Sequence, residues 1–273
     1  MTGWEMEMFF NRKPKKELSQ VFLTCRGAEK LVNCSSTGPG DVVVEIGPGR
    51  GVITELLAKR VGDEGKVIGI EIDPNLCENL RRQFKNRPNV QIYQGDALKL
   101  LPKIIPKGPW KTASNPPFQI MGKKGEREGL IRLLLGLSNP PEEAVLVTRG
   151  DLAQRWTSGG LFRITYEPLF EISVFSPFSS SDFQLRTLVH PVVLRFKKRK
   201  EPLIEDYNGF VAFVRKVFGR SGRNITKKLE GIVGYRRLKK LGHECGFDPK
   251  NPPSALTSQQ WIAIYKAYKY KER

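Results

Sequence analysis

The chain has 273 residues, and its 46 Lys and Arg against 28 Asp and Glu give a formal net charge of +18. A hydrophobic content of 39% and an aromatic content of 10% exclude a disordered basic tail, and no apolar run reaches membrane-spanning length. What is left is a folded, strongly basic protein of one large domain, or one domain with a small appendage, whose charge favours a polyanionic partner, nucleic acid first. Residues 1–16 show no signal-peptide pattern. Cys25, Cys34, Cys77 and Cys245 form no CxxC pair, which fits a reduced, cytoplasmic protein without a metal scaffold.

In chain order, a polar opening contains the apolar stretch Leu18–Leu23 and a short helix over Arg26–Val32. Asp41–Ile46 is β-branched and reads as a buried parallel strand. It runs into Gly47-Pro-Gly-Arg-Gly51, after which Val52–Arg60 has helical apolar spacing. Lys66–Ile72 is a second strand, and Pro74 opens a helix to about Lys85. Strands follow at Val90–Tyr93 and Trp110–Ser114, then a helix at Gly129–Leu137 and a strand at Ala144–Thr148. Phe170–Phe175 and Val189–Phe196 are further strands. Alternation of strands and helices means a doubly wound α/β sheet. From about residue 200 the pattern is helical: Tyr207–Phe218, then Ser258–Tyr268 with Thr257 as N-cap and Gln260 as its capping-box partner. The expected division is residues 1–200 and 201–273.

The glycines of Glu45-Ile-Gly-Pro-Gly-Arg-Gly51 allow a tight turn and close approach of a ligand at the sheet's carboxyl edge. The spacing is not G-x-G-x-x-G, so a dinucleotide is disfavoured. Glu71, 20 residues past Gly51, is placed to accept from both ribose hydroxyls, and Ile72 follows it. Gly95-Asp96-Ala97 puts a carboxylate where it can accept from an adenine amine. Three acidic strand ends, Glu45, Glu71 and Asp96, in this order suit S-adenosylmethionine, which carries no phosphate.

Asn115-Pro-Pro-Phe118 follows the fourth strand. An adenine amine is a poor nucleophile because its lone pair is delocalised into the ring. Two acceptors, the Asn115 side-chain oxygen and the Pro116 carbonyl, can favour a tetrahedral nitrogen aimed at a methyl sulfonium, and the prolines hold them in place. Phe118 can stack on a flipped base. The plain alternative, a Pro-Pro turn at a sheet edge, does not account for the acidic strand ends upstream.

These motifs resemble the Erm-type 23S ribosomal RNA adenine-N6 methyltransferases, which confer macrolide, lincosamide and streptogramin B resistance, and their relatives the small-subunit (16S) ribosomal RNA adenine dimethyltransferases. The resemblance runs from Ser19-Gln-Val-Phe-Leu23, similar to S-Q-N-F-L, through the catalytic loop to Asp182-Phe183 and Val192–Phe196. The tail, Phe213–Asn224 and Leu256–Ile262, is similar to the actinomycete-type Erm helices. The resemblance implies a Rossmann-like S-adenosylmethionine-dependent methyltransferase sheet with a small C-terminal helical domain. It also implies a monomer without metal, acting on 23S RNA, with the 16S enzymes as the alternative. Carried over residue by residue, Gln20, Phe22, Glu45, Gly47, Gly49, Gly51, Glu71, Ile72, Asp96, Ala97 and Asn115 hold the cofactor. Asn115, Pro116, Phe118 and Phe183 carry the chemistry.

Two departures stand out. Val21 replaces an Asn that helps hold the cofactor, and Leu185 and Thr187 stand where two prolines are expected. A non-catalytic RNA-binding relative conflicts with the intact Asn115–Phe118 and Glu71. A DNA adenine methyltransferase would need a larger recognition domain. The stretch Arg195–Lys240 holds 15 basic and 4 acidic residues. Lys197, Lys198, Arg199, Lys200, Arg215, Arg220, Arg223, Lys227 and Lys228 are the candidate RNA phosphate contacts.

Overall fold

The computed structural model describes residues 22–122, 129–184 and 190–269. Gln20, Val21, Leu185 and Thr187 therefore lie outside the described residues. Among the described residues seven strands form one sheet: β1 (Val42–Ile46), β2 (Lys66–Glu71), β3 (Val90–Gln94), β4 (Lys111–Ser114), β5 (Glu143–Arg149), β6 (Phe170–Phe175) and β7 (Pro191–Lys198). Their order is β3-β2-β1-β4-β5-β7-β6. The pairs β1–β2, β2–β3, β1–β4 and β4–β5 are parallel, while β7 runs antiparallel to β5, from Glu143↔Lys197 to Arg149↔Pro191. Val43, Val44 and Ile46 of β1 and Val67 and Ile70 of β2 are buried, which is why these runs are mostly apolar and do not alternate.

Strand order reverses between β1 and β4, and there the ladder is short. The register pairs only Val43 with Lys111. Further along, the Ile46 amide donates to the Ser114 hydroxyl at 2.9 Å instead of to a strand carbonyl. This bond lies at the carboxyl ends of the two strands, outside which a doubly wound sheet has its crevice.

The helices on this sheet have local start signals. Thr24 caps α1 (Cys25–Asn33), and its side chain accepts from the Gly27 amide. Asp73 caps α3 (Pro74–Gln83), with proline in the first turn. Gly51, at φ +78°, starts α2 (Val52–Val61). Asp96 caps α4 (Ala97–Ile104), a helix that the sequence reading missed because Pro102 stands in its last turn and reads as a breaker. Leu130–Gly136 forms α5.

The chain divides into two compact units, one with residues up to 150 and 173–197, the other with 151–172 and 198 onward. A single cut near residue 200 leaves residues 151–172 with the sheet. They group instead with the C-terminal helices, because they contribute α6 (Gly150–Thr157) and α7 (Leu161–Tyr166), and Ile164 is fully buried in a cluster with Phe210, Val214, Val217, Leu229 and Trp261. Around that cluster lie α8 (Tyr207–Gly219), α9 (Ile225–Lys228), α10 (Tyr235–Cys245) and α11 (Ser258–Lys269). The Thr257 capping box is present: the Gln260 amide donates to the Thr257 hydroxyl at 3.2 Å, and the Gln260 side chain accepts from the Thr257 amide at 2.9 Å. Asp206 caps α8 and accepts from the Tyr265 hydroxyl at 2.6 Å, tying α8 to α11.

In the sheet unit the chain closes on itself through Asp182. The Thr24 amide donates to the Asp182 carbonyl at 2.8 Å, Leu23 bridges Phe183, and the Gln184 amide donates to the Phe22 carbonyl at 2.9 Å. The Asp182 carboxylate is fully buried and accepts from Lys30 at 2.7 Å and from the Ser179 amide at 2.6 Å. Burial alone would raise its pKa; the bonds from Lys30 and Ser179 overcome that and hold it at about 2. A folded pKa below the unfolded value means stability present above about pH 4 and lost as pH falls toward 2. Asp182→Asn should therefore lower Tm at pH 7, and the gap from the parent protein should shrink across that acid range in a pH series of thermal melts. A gap independent of pH would show that the charge contributes nothing.

Candidate active site

A cavity opens at the carboxyl edge of the sheet, beside the ends of β1 and β4. Its wall follows the strand order. Gly95, Asp96 and Ala97 lie after β3, Glu71 and Ile72 at and after the end of β2, Gly47 to Arg50 after β1, and Asn115 and Pro117 after β4. Phe22, Leu23 and Gln184 complete it.

The glycine turn sets the close approach. Gly49 has φ +59°, and a Cβ there would fall 2.7 Å from the Phe22 ring. Only glycine lets the aromatic ring lie on the turn. The Gly49 amide donates to Glu71 Oε2 at 2.9 Å, and the Asp73 amide donates to Glu71 Oε1 at 2.9 Å. Glu71 is thus clamped at the strand end with little freedom to turn. Burial pushes its carboxyl up, against the pull of the Asp73, Gly49 and Ile72 amides. Asp96 Oδ1 accepts from the Leu98 amide at 2.9 Å, which aims this carboxylate by capping α4. Ile72 is 48% exposed, an apolar surface on which a flat ring can lie.

Glu45 is not part of this wall. It is fully buried under the turn, where the Thr54 hydroxyl donates to Oε2 at 2.6 Å and Oε1 has no hydrogen-bond partner. Burial pushes its carboxyl up to about 8, Thr54 opposing and the Glu71 charge adding. Among the described residues the acidic lining is therefore Glu71 and Asp96. Gly51 also lies outside the wall and packs toward Leu80 and Phe84.

Within the Asn115–Phe118 tetrad, Asn115 and Pro117 face the cavity, Pro116 is buried, and Phe118 is half-buried. Phe118 packs against the apolar cluster that contains Leu23 and Phe183. Phe183 is 6% exposed and meets Phe178 edge-on at 5.3 Å between ring centres. Both proposed base-flanking rings thus belong to one apolar cluster beside the cavity and not to its wall.

Sequence reasoning missed the side formed by Arg50. This residue is 6% exposed, its guanidinium lies 4.6 Å from the centre of the Phe22 ring, and it donates to Gln184 Oε1 at 2.5 Å. Its position inside G-P-G-R-G was the one available signal; the bond to Gln184, 134 positions away, could not be read.

The candidate RNA contacts divide. Arg199 donates to the Glu167 carbonyl at 3.0 Å, Arg220 to the Glu230 carbonyl at 2.7 Å, and Lys228 to the Phe218 carbonyl at 2.8 Å. These three hold their own fold. Lys197, Lys198, Lys200, Arg215, Arg223 and Lys227 are exposed or half-exposed, as a surface for phosphates requires. Helix α10 adds exposed Tyr235, Arg236, Arg237, Lys239 and Lys240, which the sequence pattern did not single out.

The cavity fits S-adenosylmethionine: a carboxylate held at the β2 end, another at the β3 end, an apolar surface between them, and a glycine turn that a Cβ would block. Residues 11–270 match the model of the ribosomal RNA adenine dimethylase family. The chain belongs to that family. It is an S-adenosylmethionine-dependent ribosomal RNA adenine methyltransferase. Ribosomal RNA small subunit methyltransferase A of Dehalococcoides mccartyi is 26% identical over 97% of this chain and 91% of its own. The protein of the same name from Rubrobacter xylanophilus is 28% identical over 93% and 95%. Among solved structures, the 23S rRNA methyltransferase ErmE matches with a TM-score of 0.78 at 23% identity, covering 91% of this chain and 99% of ErmE. A dimethyladenosine transferase from Plasmodium falciparum matches at 0.69 and 16% identity, covering 93% and 98%. These structural likenesses show the methyltransferase fold. Among the described residues no helix is long and apolar enough to cross a membrane, and no cluster of His, Cys, Asp or Glu could hold a metal.

For this methyltransferase, Glu71→Ala should weaken S-adenosylhomocysteine binding by about tenfold or more in calorimetry. An unchanged Kd would remove Glu71 from the ribose. Gly49→Ala should weaken it too, since both φ and the Phe22 ring oppose a Cβ.

Proposed function

We propose that this methyltransferase acts on the N6 amine of an adenine in small-subunit (16S) ribosomal RNA. The observation that carries this reading is the whole-length match to small subunit methyltransferase A proteins from several bacteria. The 23S reading, with macrolide resistance, is the second. It is favoured by the tail residues Phe213–Asn224 and Leu256–Ile262, and ErmE shares the fold.

S-adenosylmethionine, when bound, supplies an electrophilic methyl on sulfonium. In this proposal Glu71 holds the ribose, Asp96 accepts from the adenine amine of the cofactor, and Ile72 lies under its ring. Asn115, at the β4 end, accepts from the target amine through its side-chain oxygen, and the Pro116 carbonyl is the second acceptor. The proton leaves after methyl transfer, so no strong general base is needed. Phe118 and Phe183 border the entry for the flipped base. The exposed cations, from Lys197 to Lys240, are assigned to RNA phosphates.

Transfer of labelled methyl groups to protein-free 16S and 23S RNA, with mapping of the modified base, tests the substrate. Labelling of 16S RNA is expected. Labelling of 23S RNA alone, with erythromycin resistance in an expressing strain, would replace the proposal by the second reading. Asn115→Ala should lose most of the rate while cofactor affinity survives; a collapse of affinity would mean that Asn115 chiefly holds the cofactor. The double variant Arg236→Gln, Arg237→Gln should flatten the salt dependence of RNA binding by about 0.7–0.9 in log–log slope for each phosphate no longer neutralised. An unchanged slope would clear α10 of any role in RNA binding.

A further inference from the structure

Ser114 is the last residue of β4, and Asn115 follows it in the chain. On one side Ser114 is in register with Leu146 of β5. On the β1 side its side chain makes the contact, where the Ile46 amide donates to Ser114 Oγ at 2.9 Å. Thr112 Oγ1 lies 3.1 Å from the same oxygen, two residues back on the same face of β4. Ser114, Thr112 and Ile46 are all buried, so water does not compete for these bonds. The peptide that Ser114 holds is itself fixed from the far side. The Gly47 amide donates to the Ile70 carbonyl of β2 at 2.9 Å, and Ile46 is in register with Ile70. Beyond Asn115 come two prolines, which have no N–H to extend a strand ladder. There the loop lies against the glycine turn: Gly47 has φ +71°, and a Cβ on it would fall 3.3 Å from Pro117 Cδ. Asn115 thus sits between a residue tied to β1 through a hydroxyl and a proline packed beside the turn that follows β1.

We propose that Ser114 is a positioning residue for methyl transfer, whose hydroxyl, held by the Ile46 amide, sets where Asn115 stands relative to the glycine turn. Ser114 touches neither the cofactor nor the base and acts through Asn115. The acceptor and the sulfonium methyl must meet a nitrogen between them within a few tenths of an ångström, and a displacement of about 1 Å can cost about a hundredfold in rate. A bond from the strand that carries the turn to the residue before Asn115 is placed to keep that tolerance. The inference rests on the role given above to Asn115 and is independent of which ribosomal RNA is methylated.

The test is a double-mutant cycle between Ser114 and Asn115, with methyl transfer measured on the ribosomal RNA that the parent protein labels and S-adenosylhomocysteine binding measured by calorimetry. For Ser114→Ala, kcat should fall by roughly tenfold to a hundredfold. The Kd for S-adenosylhomocysteine and the KM for RNA should stay within about twofold. Ser114→Cys keeps the side-chain volume but offers a weak acceptor, and should lose nearly as much rate. In the Asn115→Ala background, Ser114→Ala should cost less than about twofold in kcat, because the group that it positions is gone. A structural role alone would lower Tm and leave kcat unchanged below the melting range, and that result would overturn the proposal. Equal losses of rate in the parent and Asn115→Ala backgrounds would overturn it too, as would a weakening of S-adenosylhomocysteine as large as the loss of rate, since the bond would then only shape the turn. If Ser114→Ala does not fold, Ser114→Cys takes its place in both backgrounds with the same outcomes. Asn115→Ala at the parent rate would refute the role of Asn115, and the proposal with it, a result distinct from an unchanged rate in Ser114→Ala alone.

Discussion

In an open parallel sheet a ligand sits outside the carboxyl ends of the strands, at the point where the strand order reverses, here between β1 and β4. The register of these two strands pairs Val43 with Lys111. Near the carboxyl end of β1, an Ile46 amide left unpaired in a buried place would cost about 1–3 kcal/mol. The Ser114 hydroxyl accepts its hydrogen bond at 2.9 Å, so β4 meets β1 there through a side chain. The glycine turn follows β1 and the Asn115 loop follows β4, so this junction places the two loops on the two sides of one crevice.

The crevice depends next on a wall that comes from two distant places in the chain. Residues 22–24 pair with residues 182–184 through backbone bonds, and Asp182 joins them to Lys30. That pairing sets the Phe22 ring on the Gly49 turn, and Arg50 and Gln184 close over it. The apolar cluster under this wall also holds Phe183 and receives Phe118. The region proposed to meet the cofactor and the region proposed to meet the base therefore share one set of packing interactions.

The charge of +18 is unevenly distributed across these parts. The crevice carries Glu71 and Asp96 with Arg50 as the described cation in its wall, while Glu45 is buried beneath it. Much of the excess lies in Arg195–Lys240, where 15 basic residues face 4 acidic ones. Several of those cations, Arg199, Arg220 and Lys228, cap or brace backbone carbonyls. A basic stretch in sequence is thus partly architecture and partly available surface, and only the hydrogen bonds separate the two.

The sequence by itself determined the alternation of strands and helices, the glycine turn, the carboxylates at the β2 and β3 ends, and the Asn115 loop. Each is a local pattern whose chemistry is carried by adjacent residues: β-branched runs bury on both faces, glycines allow positive φ, and Asp or Thr caps the helix that follows it. The tertiary structure decided what adjacency cannot encode. It took Glu45 out of the cavity, because its side chain at the strand end lies under the turn with Thr54 and not at the crevice. It brought Arg50 to Gln184 across 134 positions and assigned residues 151–172 to the helical unit through Ile164. Those outcomes follow from which faces pack together, and a face acquires its partner only when the whole chain has folded.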